Sequence, residues 1–418
     1  MTVTDLIASY DPALAPDPLA PDPLVPGHVS WRDLPAAQQP DWPDQSALAA
    51  VMADLGSCAP LVLPEESDRL RDRLAAVARG EAVLIQGGDC AETFGGTSER
   101  QIRAKLTTLD QMATVLSAAA GLPAIRIGRI AGQYSKPRSN PTEVIDGLEL
   151  PVYRGDSVNS VEFTPEARRP DPERLRRAYH SSAVTLNLIR AVTGGAETEA
   201  VYTSHEALIL DYEAALTRRD SRTGRYYAGS GHLLWIGERT RQLDGAHLAF
   251  AARVDNPVAV KLGPSATADE AMALIDLLDP EREPGRLTFI TRMGARQIRD
   301  VLPELVAKVT ASGAQVAWVC DPMHGNTFTS PTGHKTRRVA DIADEAEGFL
   351  AVHRELGTHP GGFHLEFTGD FVTECVGGTD EVTFEDLGRR YESTCDPRLN
   401  RGQALDLAFS VADRYRSA

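Results

Sequence analysis

Residues 82–94 read AVLIQGGDCAETF. The stretch begins as an apolar strand, breaks at Gly87-Gly88 and then presents Asp89, Cys90 and Glu92 together. A cysteine at the mouth of such a strand has three readings: a nucleophile, a metal ligand or a buried spacer. The neighbours decide among them, and the fold decides the neighbours.

The pattern of an apolar strand running into a polar cluster recurs along the chain. It predicts strands at Ala82–Gln86, Ala124–Arg129, Val201–Ser204, His232–Ile236, Val258–Leu262, Leu287–Thr291, Val316–Cys320 and Phe363–Phe367. Helices are predicted over Glu99–Ala119, His205–Thr217, Asp269–Leu278, Ala295–Val309 and Val339–Leu356, where apolar residues return every three and four positions. Strand and helix in alternation describe a (β/α)8 TIM barrel, with an open doubly wound sheet as the alternative. The strand ends choose between them. Gly87-Gly88-Asp89-Cys90 follows the first strand, Arg129 and the run Gln133 to Ser139 the second, and His205-Glu206 the third. Glu238-Arg239 follows the fourth, Lys261 lies in the fifth, and Arg292 follows the sixth. Asp321 and His324 follow the seventh, and Glu366 closes the eighth. A barrel brings all eight ends to one face, where barrel active sites sit; an open sheet does not.

The barrel is expected over residues 81–418, preceded by an N-terminal extension at 31–80 packed on it. Residues 1–30 form a proline-rich arm with the doubled unit APDPL-APDPL, a composition that blocks regular pairing. The segment WRDLPAAQQPDWPD that follows holds two tryptophans, which predict aromatic anchors to the body. The net charge of −16 argues against a nucleic-acid partner. No apolar run is long enough for a membrane span, and no signal peptide is recognisable. Five scattered cysteines do not make a disulfide framework, so a cytoplasmic protein with reduced thiols is expected.

Two kinds of residue meet on the predicted face. Arg129, Lys136, Arg138, Arg239, Lys261 and Arg292 are cations in an acidic protein, and they call for an anionic ligand. Taken singly, each is as well read as a surface ion-pair partner. Cys90, His324, Glu366 and the later Asp396 are metal-capable, a mixed set suited to a divalent first-row ion. Their spacing matches no short motif, and Cys90 as a core residue or His324 as a loop residue remain open. Alternation puts His364 on the same inward face as Glu366, as a supporting neighbour. A metal beside anion-binding cations suits aldol-type carbon–carbon bond formation or phosphoryl transfer. No P-loop is present, and Lys261 is the one candidate for a Schiff-base lysine.

At these residues the chain resembles the type II 3-deoxy-D-arabino-heptulosonate 7-phosphate (DAHP) synthases. The resemblance rests on QQPDWPD, QGGDCAETF, GRIAGQYSKPRS, SHEALILDYE, WIGERTRQLDGAH, KLGPS, RMGARQIRD, CDPMHGNT, HLEFTG and YESTCDPRLN together. It implies a barrel that condenses phosphoenolpyruvate with erythrose 4-phosphate, as a homodimer. The implied metal ligands are Cys90, His324, Glu366 and Asp396, holding Mn2+ or Co2+, with Fe2+, Zn2+ or Cd2+ as alternatives. Arg239 and Arg292 would hold the phosphoenolpyruvate phosphate, and Lys261, Arg129 and Lys136 its carboxylate. Arg138 and Ser139 would hold the sugar phosphate, with Glu238 and Lys335 in the same pocket. Lys136 is expected to donate a proton, Glu238 to position water, and Lys261 to stabilise the new alkoxide.

The chain also departs from that family. Long members carry an extra helical pair between the second and third barrel units, and AVTGGAETEA is too short to hold it. Weak or no inhibition by tryptophan through that site is therefore expected. A supply role in secondary metabolism, of the phenazine type, follows as an expectation. An amino-sugar phosphate as substrate and a non-catalytic barrel are the alternatives. If Cys90 and Asp396 share a metal, Cys395 lies close by, and loss of the metal permits a Cys90–Cys395 disulfide provided the Cα atoms come within about 7 Å.

Overall fold

The computed structural model describes residues 30–194 and 200–416. The expected arm at 1–30 lies, apart from Ser30, outside the described residues. So do residues 195–199 of the shortened connection.

Eight parallel strands close a barrel: β1 Val83–Gly88, β2 Ala124–Arg129, β3 Val201–Glu206, β4 Leu233–Ile236, β5 Val258–Leu262, β6 Leu287–Thr291, β7 Ala317–Cys320 and β8 Gly362–Glu366. Each pairs with its neighbours in chain order, and β8 closes on β1. The predicted fold therefore stands. Ahead of the barrel come α1 (Gln45–Ser57) and α2 (Pro64–Ala78). Around it lie α3 (Glu99–Ala120), α4 (Glu173–Thr193), α5 (Leu210–Leu216), α6 (Ala246–Ala251), α7 (Ala268–Leu278), α8 (Ile298–Ala311), α9 (Val339–Glu355) and α10 (Arg401–Arg416).

Alternation sorts the strand residues. Val83, Ile85, Val258, Val260, Phe289, Trp318 and Phe363 face out into the helix layer. Leu84, Ile127, Tyr202, Leu233, Trp235, Ala259, Ile290, Ala317 and Val319 face in. Leu70, Leu74 and Val77 of α2 join this inner set, so one face of α2 closes the amino-terminal mouth. Pro64 opens that helix, and the Glu66 carboxylate accepts from Leu63 N at 2.9 Å, which fixes its start.

Two boundaries differ from the sequence reading for physical reasons. Gly87 and Gly88 do not break β1; they finish it. A Cβ on Gly88 (φ 151°) would stand 2.6 Å from the Arg129 carbonyl oxygen, and one on Gly87 2.4 Å from the Phe367 ring. Both glycines are there for close approach. The helix expected over His205–Thr217 shrinks to Leu210–Leu216. His205 and Glu206 remain in β3, and the Ala207 N–H donates to the Trp235 carbonyl at 3.0 Å, which prolongs the extended chain.

Two further segments shape the catalytic end. Thr142–Ile145 and Leu148–Pro151 form a hairpin turned by Asp146 and Gly147, both at positive φ. Residues 30–43 run as a strap whose Trp31 and Trp42 are buried, Trp31 edge-on to Phe250 at 6.2 Å.

Candidate active site

The carboxyl ends of the strands surround a cavity of about 470 Å3. Lys136, Arg138, Ser139, Glu206, Glu238, Arg239, Lys261, Arg292, His324, Lys335 and Asp396 line it. Of the expected residues, Cys90, Glu366 and Arg129 lie beneath that lining, fully buried.

The register explains the floor. Gly88 pairs with Arg129 on one side and Glu366 on the other. With no side chain between them, the Arg129 guanidinium reaches Glu366 at 3.0 Å, the carbonyls of Asp89 and Cys90, and His364 Nε2 at 2.5 Å. His364 Nδ1 meets Gln86 at 2.8 Å, and its ring stands edge-on to Trp235 at 5.1 Å. Burial, with Lys261 and Arg129 nearby, pushes that imidazole well below its ordinary pKa, so it is neutral. It accepts from Arg129 rather than competing with it. Trp235 also supports the cations, with Arg129 5.0 Å and Lys261 5.7 Å from its ring.

Above the floor, three metal-capable groups cluster and a fourth, His324, stands beside them. Cys90, Glu366 and Asp396 offer ligand atoms within 4.8 Å of one another. His324 Nε2 lies 3.0 Å from Glu366 and 3.9 Å from Asp396. The Lys136 ammonium sits among them, 2.9 Å from Cys90 Sγ, 3.3 Å from His324, 3.2 Å from Glu366 and 2.7 Å from Asp396. Burial opposes the Lys136 charge, but Asp396, Cys90 and Glu366 outweigh it and hold its pKa well above the ordinary value.

The donor set fits a divalent cation. His324 Nδ1 is 2.7 Å from Asp321, so the ring N–H points there and Nε2 presents its lone pair to Glu366. Two acceptors at 3.0 Å require a cation or a proton between them. Burial opposes ionisation of Glu366; His324, Lys136, Arg337 and Arg129 overcome it and hold the carboxyl well below its ordinary range. Cys90 is raised by burial, with Cys395 and Glu366 beside it, so a metal there displaces a thiol proton.

The remaining cations are arranged as a wall. Arg292 donates to the His324 carbonyl at 3.0 Å, and Arg239 to Ser139 Oγ at 2.7 Å. Lys261 is 2.6 Å from Asp321; burial lowers its pKa, with Asp321 opposing. Lys335 pairs with Asp396. Glu238 has both oxygens engaged, by Arg241 at 3.0 Å and by Gly263 N at 2.6 Å.

Three residues to which the sequence reading gave no catalytic or binding role also stand at the site. Asp321 bridges Lys261 and His324. Arg337 lies 2.8 Å from Glu366 Oε2, an ion pair not aligned as a hydrogen bond. Glu206 is buried at the cavity wall with Oε1 unpartnered, and burial raises its pKa. Its signal was its position at the end of β3; a Cβ on Gly237 would stand 2.1 Å from that oxygen, so the glycine makes its room.

Fold and mouth together define a (β/α)8 enzyme with a cationic cavity above a candidate metal centre. A profile of the Class-II DAHP synthetase family matches residues 27–200 and 193–412. The chain is 59% identical over 435 residues to phospho-2-dehydro-3-deoxyheptonate aldolase of Streptomyces coelicolor, covering 93% of this chain and 97% of that one. It is 46% identical over 435 residues to phospho-2-dehydro-3-deoxyheptonate aldolase AroG of Mycolicibacterium smegmatis, covering 91% and 93%. A solved structure of phospho-2-dehydro-3-deoxyheptonate aldolase from Francisella tularensis shares the fold, with a TM-score of 0.53 at 13% identity over 88% of this chain and 96% of that one. The chain belongs to the class-II DAHP synthetase family. Its activity is that of a DAHP synthase, which joins phosphoenolpyruvate and erythrose 4-phosphate. No helix among the described residues is long and apolar enough to cross a membrane.

Proposed function

We propose that Cys90, His324, Glu366 and Asp396 hold a divalent metal, Mn2+ or Co2+ ahead of Fe2+, Zn2+ or Cd2+, and that the cationic wall binds two phosphorylated substrates. The observation that carries this reading is the Lys136 ammonium encircled by those four groups, each within 3.3 Å. When bound, such an ion supplies a Lewis acid to the aldehyde of erythrose 4-phosphate. Arg239 and Arg292 hold the phosphate of phosphoenolpyruvate, and Lys136 and Lys261 its carboxylate, with Arg129 adding charge from the floor. Arg138 and Ser139 hold the sugar phosphate, and Lys335 sets Asp396.

Bond formation joins C3 of phosphoenolpyruvate to C1 of the sugar. Water adds at C2, and the C–O bond to phosphate breaks as inorganic phosphate leaves. Lys136 donates the proton to the new alkoxide, and Lys261 stabilises it. Both Glu238 oxygens are already engaged by neighbours, so Glu206, with its free Oε1, is the better placed of the two to orient the water.

Three finer readings belong with this proposal. Residues 31–80 serve as an extension that closes and straps the 81–418 barrel. The short link after α4 supports weak inhibition by tryptophan and a supply role in secondary metabolism. The assembly carried over from the resemblance is a homodimer. One assay tests the reaction: loss of phosphoenolpyruvate absorbance with each metal, using erythrose 4-phosphate and its amino analogue in parallel. Turnover with the amino analogue alone would reassign the substrate, and turnover with neither would sink the proposal.

A further inference from the structure

Gln38 lies on the strap, outside the barrel, yet it is bound to the sugar-phosphate end of the site. Its side-chain Oε1 accepts from the Arg138 backbone N–H at 2.9 Å, and its Nε2 donates to the Arg138 carbonyl at 3.2 Å. One side-chain amide thus pairs with both backbone groups of one residue, as a neighbouring strand would. The Gln38 backbone carbonyl also accepts from Arg154 at 2.6 Å, and that of Gln39 at 3.2 Å. Arg154 is half-buried, and its pKa is lowered by burial, with Arg138 next to it. The strap therefore ties Arg154 to the same segment that holds Arg138, and Arg138 lines the cavity.

The backbone at Gln38 shows the same purpose. Its φ is 61°, the left-handed region that a non-glycine residue adopts only when its surroundings hold it there. Gln39 supplies the hold from the other side. Its Nε2 donates to the Leu208 carbonyl at 2.7 Å, and its Oε1 accepts from Leu210 N at 3.1 Å. The two glutamines tie the loop after β2 to the loop after β3.

We propose that Gln38 is a positioning residue for the phosphate of the sugar substrate: it fixes the backbone of Arg138, which lines the cavity. The inference rests on the assignment of Arg138 to the sugar phosphate. Gln38→Gly removes the amide while suiting the backbone at positive φ, so the variant folds; thermal melting checks this. In the full-length, metal-loaded enzyme it raises KM for erythrose 4-phosphate about tenfold, the size of two lost hydrogen bonds. KM for phosphoenolpyruvate stays within about twofold. Arg138→Ala run beside it raises the same KM by more. A Gln38→Gly enzyme with unchanged KM for the sugar, beside an impaired Arg138→Ala, overturns the inference and leaves the site reading standing. So does a parallel rise in both KM values with a lowered melting temperature, which marks a mere brace. An Arg138→Ala enzyme with unaltered KM for the sugar overturns the site reading, and the inference with it.

Discussion

The two ends of this barrel are built on opposite principles. At the amino-terminal end, Leu70, Leu74 and Val77 of α2 press into inward strand residues such as Leu84, Ile127 and Val319. That inner face is apolar, and the ion pairs of α2, such as Arg71 with Asp255 and Glu283 at 3.0 Å, flank it. At the carboxyl end, Arg129 and Glu366 close two of the same strands, and Lys136, His324, Arg337 and Asp396 reach in from the loops beyond, all but His324 buried. Burying that many charges costs free energy unless each is paired. The apolar floor supplies stability that the mouth consumes, and the mouth in exchange has charges in fixed positions. A change at one end should therefore be read in a different observable from a change at the other.

Glu366→Ala makes the strongest test. Arg129, Arg337 and Lys136 all lean on this carboxylate. Its removal abolishes turnover and metal binding and also lowers stability by about 3–5 kcal/mol, because the arginines stay buried without a partner. Steady-state assays, metal stoichiometry and urea unfolding read the three effects. A variant that keeps its metal and its turnover would show that the mouth is not organised around Glu366.

Oxidation separates the thiols at the site from those packed in the hydrophobic core beside it. Cys395 has its pKa lowered, chiefly by its hydrogen bond with Cys90, with Arg138 and Lys136 adding to the shift. Cys320 is pushed well up by burial, and Cys375 up to about 12. In metal-free enzyme, mild oxidant should join Cys90 to Cys395 and inactivate the protein reversibly, sparing Cys320 and Cys375. Bound metal protects, and Cys395→Ser protects without metal. Peptide mapping under non-reducing conditions gives the answer, and a protein that keeps its activity in oxidant when stripped of metal would refute it.

The contrast between the ends also explains what could be read in advance. The barrel was legible because every strand ends in polar residues, and polarity at a strand end survives in the sequence. The four metal-capable residues were legible for the same reason. Relations between distant residues were not. Asp321 reads as one more polar residue after the seventh strand, without a role, until Lys261 and His324 are seen to share it. Arg337 gives no signal at all, since its partner Glu366 lies on another strand end. Gly87 and Gly88 look like a chain break because a glycine needed for close approach and a glycine needed for a turn are the same letter. The hairpin at 142–151 was missed although Asp146-Gly147 is a standard turn signal, because its strands are too short to show alternation.

Leu74→Ala tests the floor. It is fully buried against the inner strand layer, so truncation costs about 2–5 kcal/mol in urea unfolding. The mouth is untouched, so kcat and both KM values at a permissive temperature stay within about twofold of the parent. Loss of turnover in a folded Leu74→Ala enzyme would mean that the floor sets the geometry of the site as well as its stability.

His353 gives the smallest and most specific effect. It sits on α9, 4.5 Å from the Phe349 ring, with Thr358 on Nδ1 at 2.8 Å and Nε2 unpartnered. Burial, with His359 nearby, lowers its pKa from 6.5 to about 3. The folded protein therefore binds this proton less readily than the unfolded chain does. The stabilising contribution is complete above the unfolded value and is lost as pH falls from 6.5 towards 3, at up to about 1.4 kcal/mol per pH unit. His353→Phe removes the titrating group and flattens that slope, which denaturant melts between pH 4 and 7 would record. The site at the mouth does not contact His353, so at neutral pH the variant's turnover matches the parent. A slope unchanged by the substitution would place the acid sensitivity at the charged mouth instead, where burial and ion pairing oppose each other most closely.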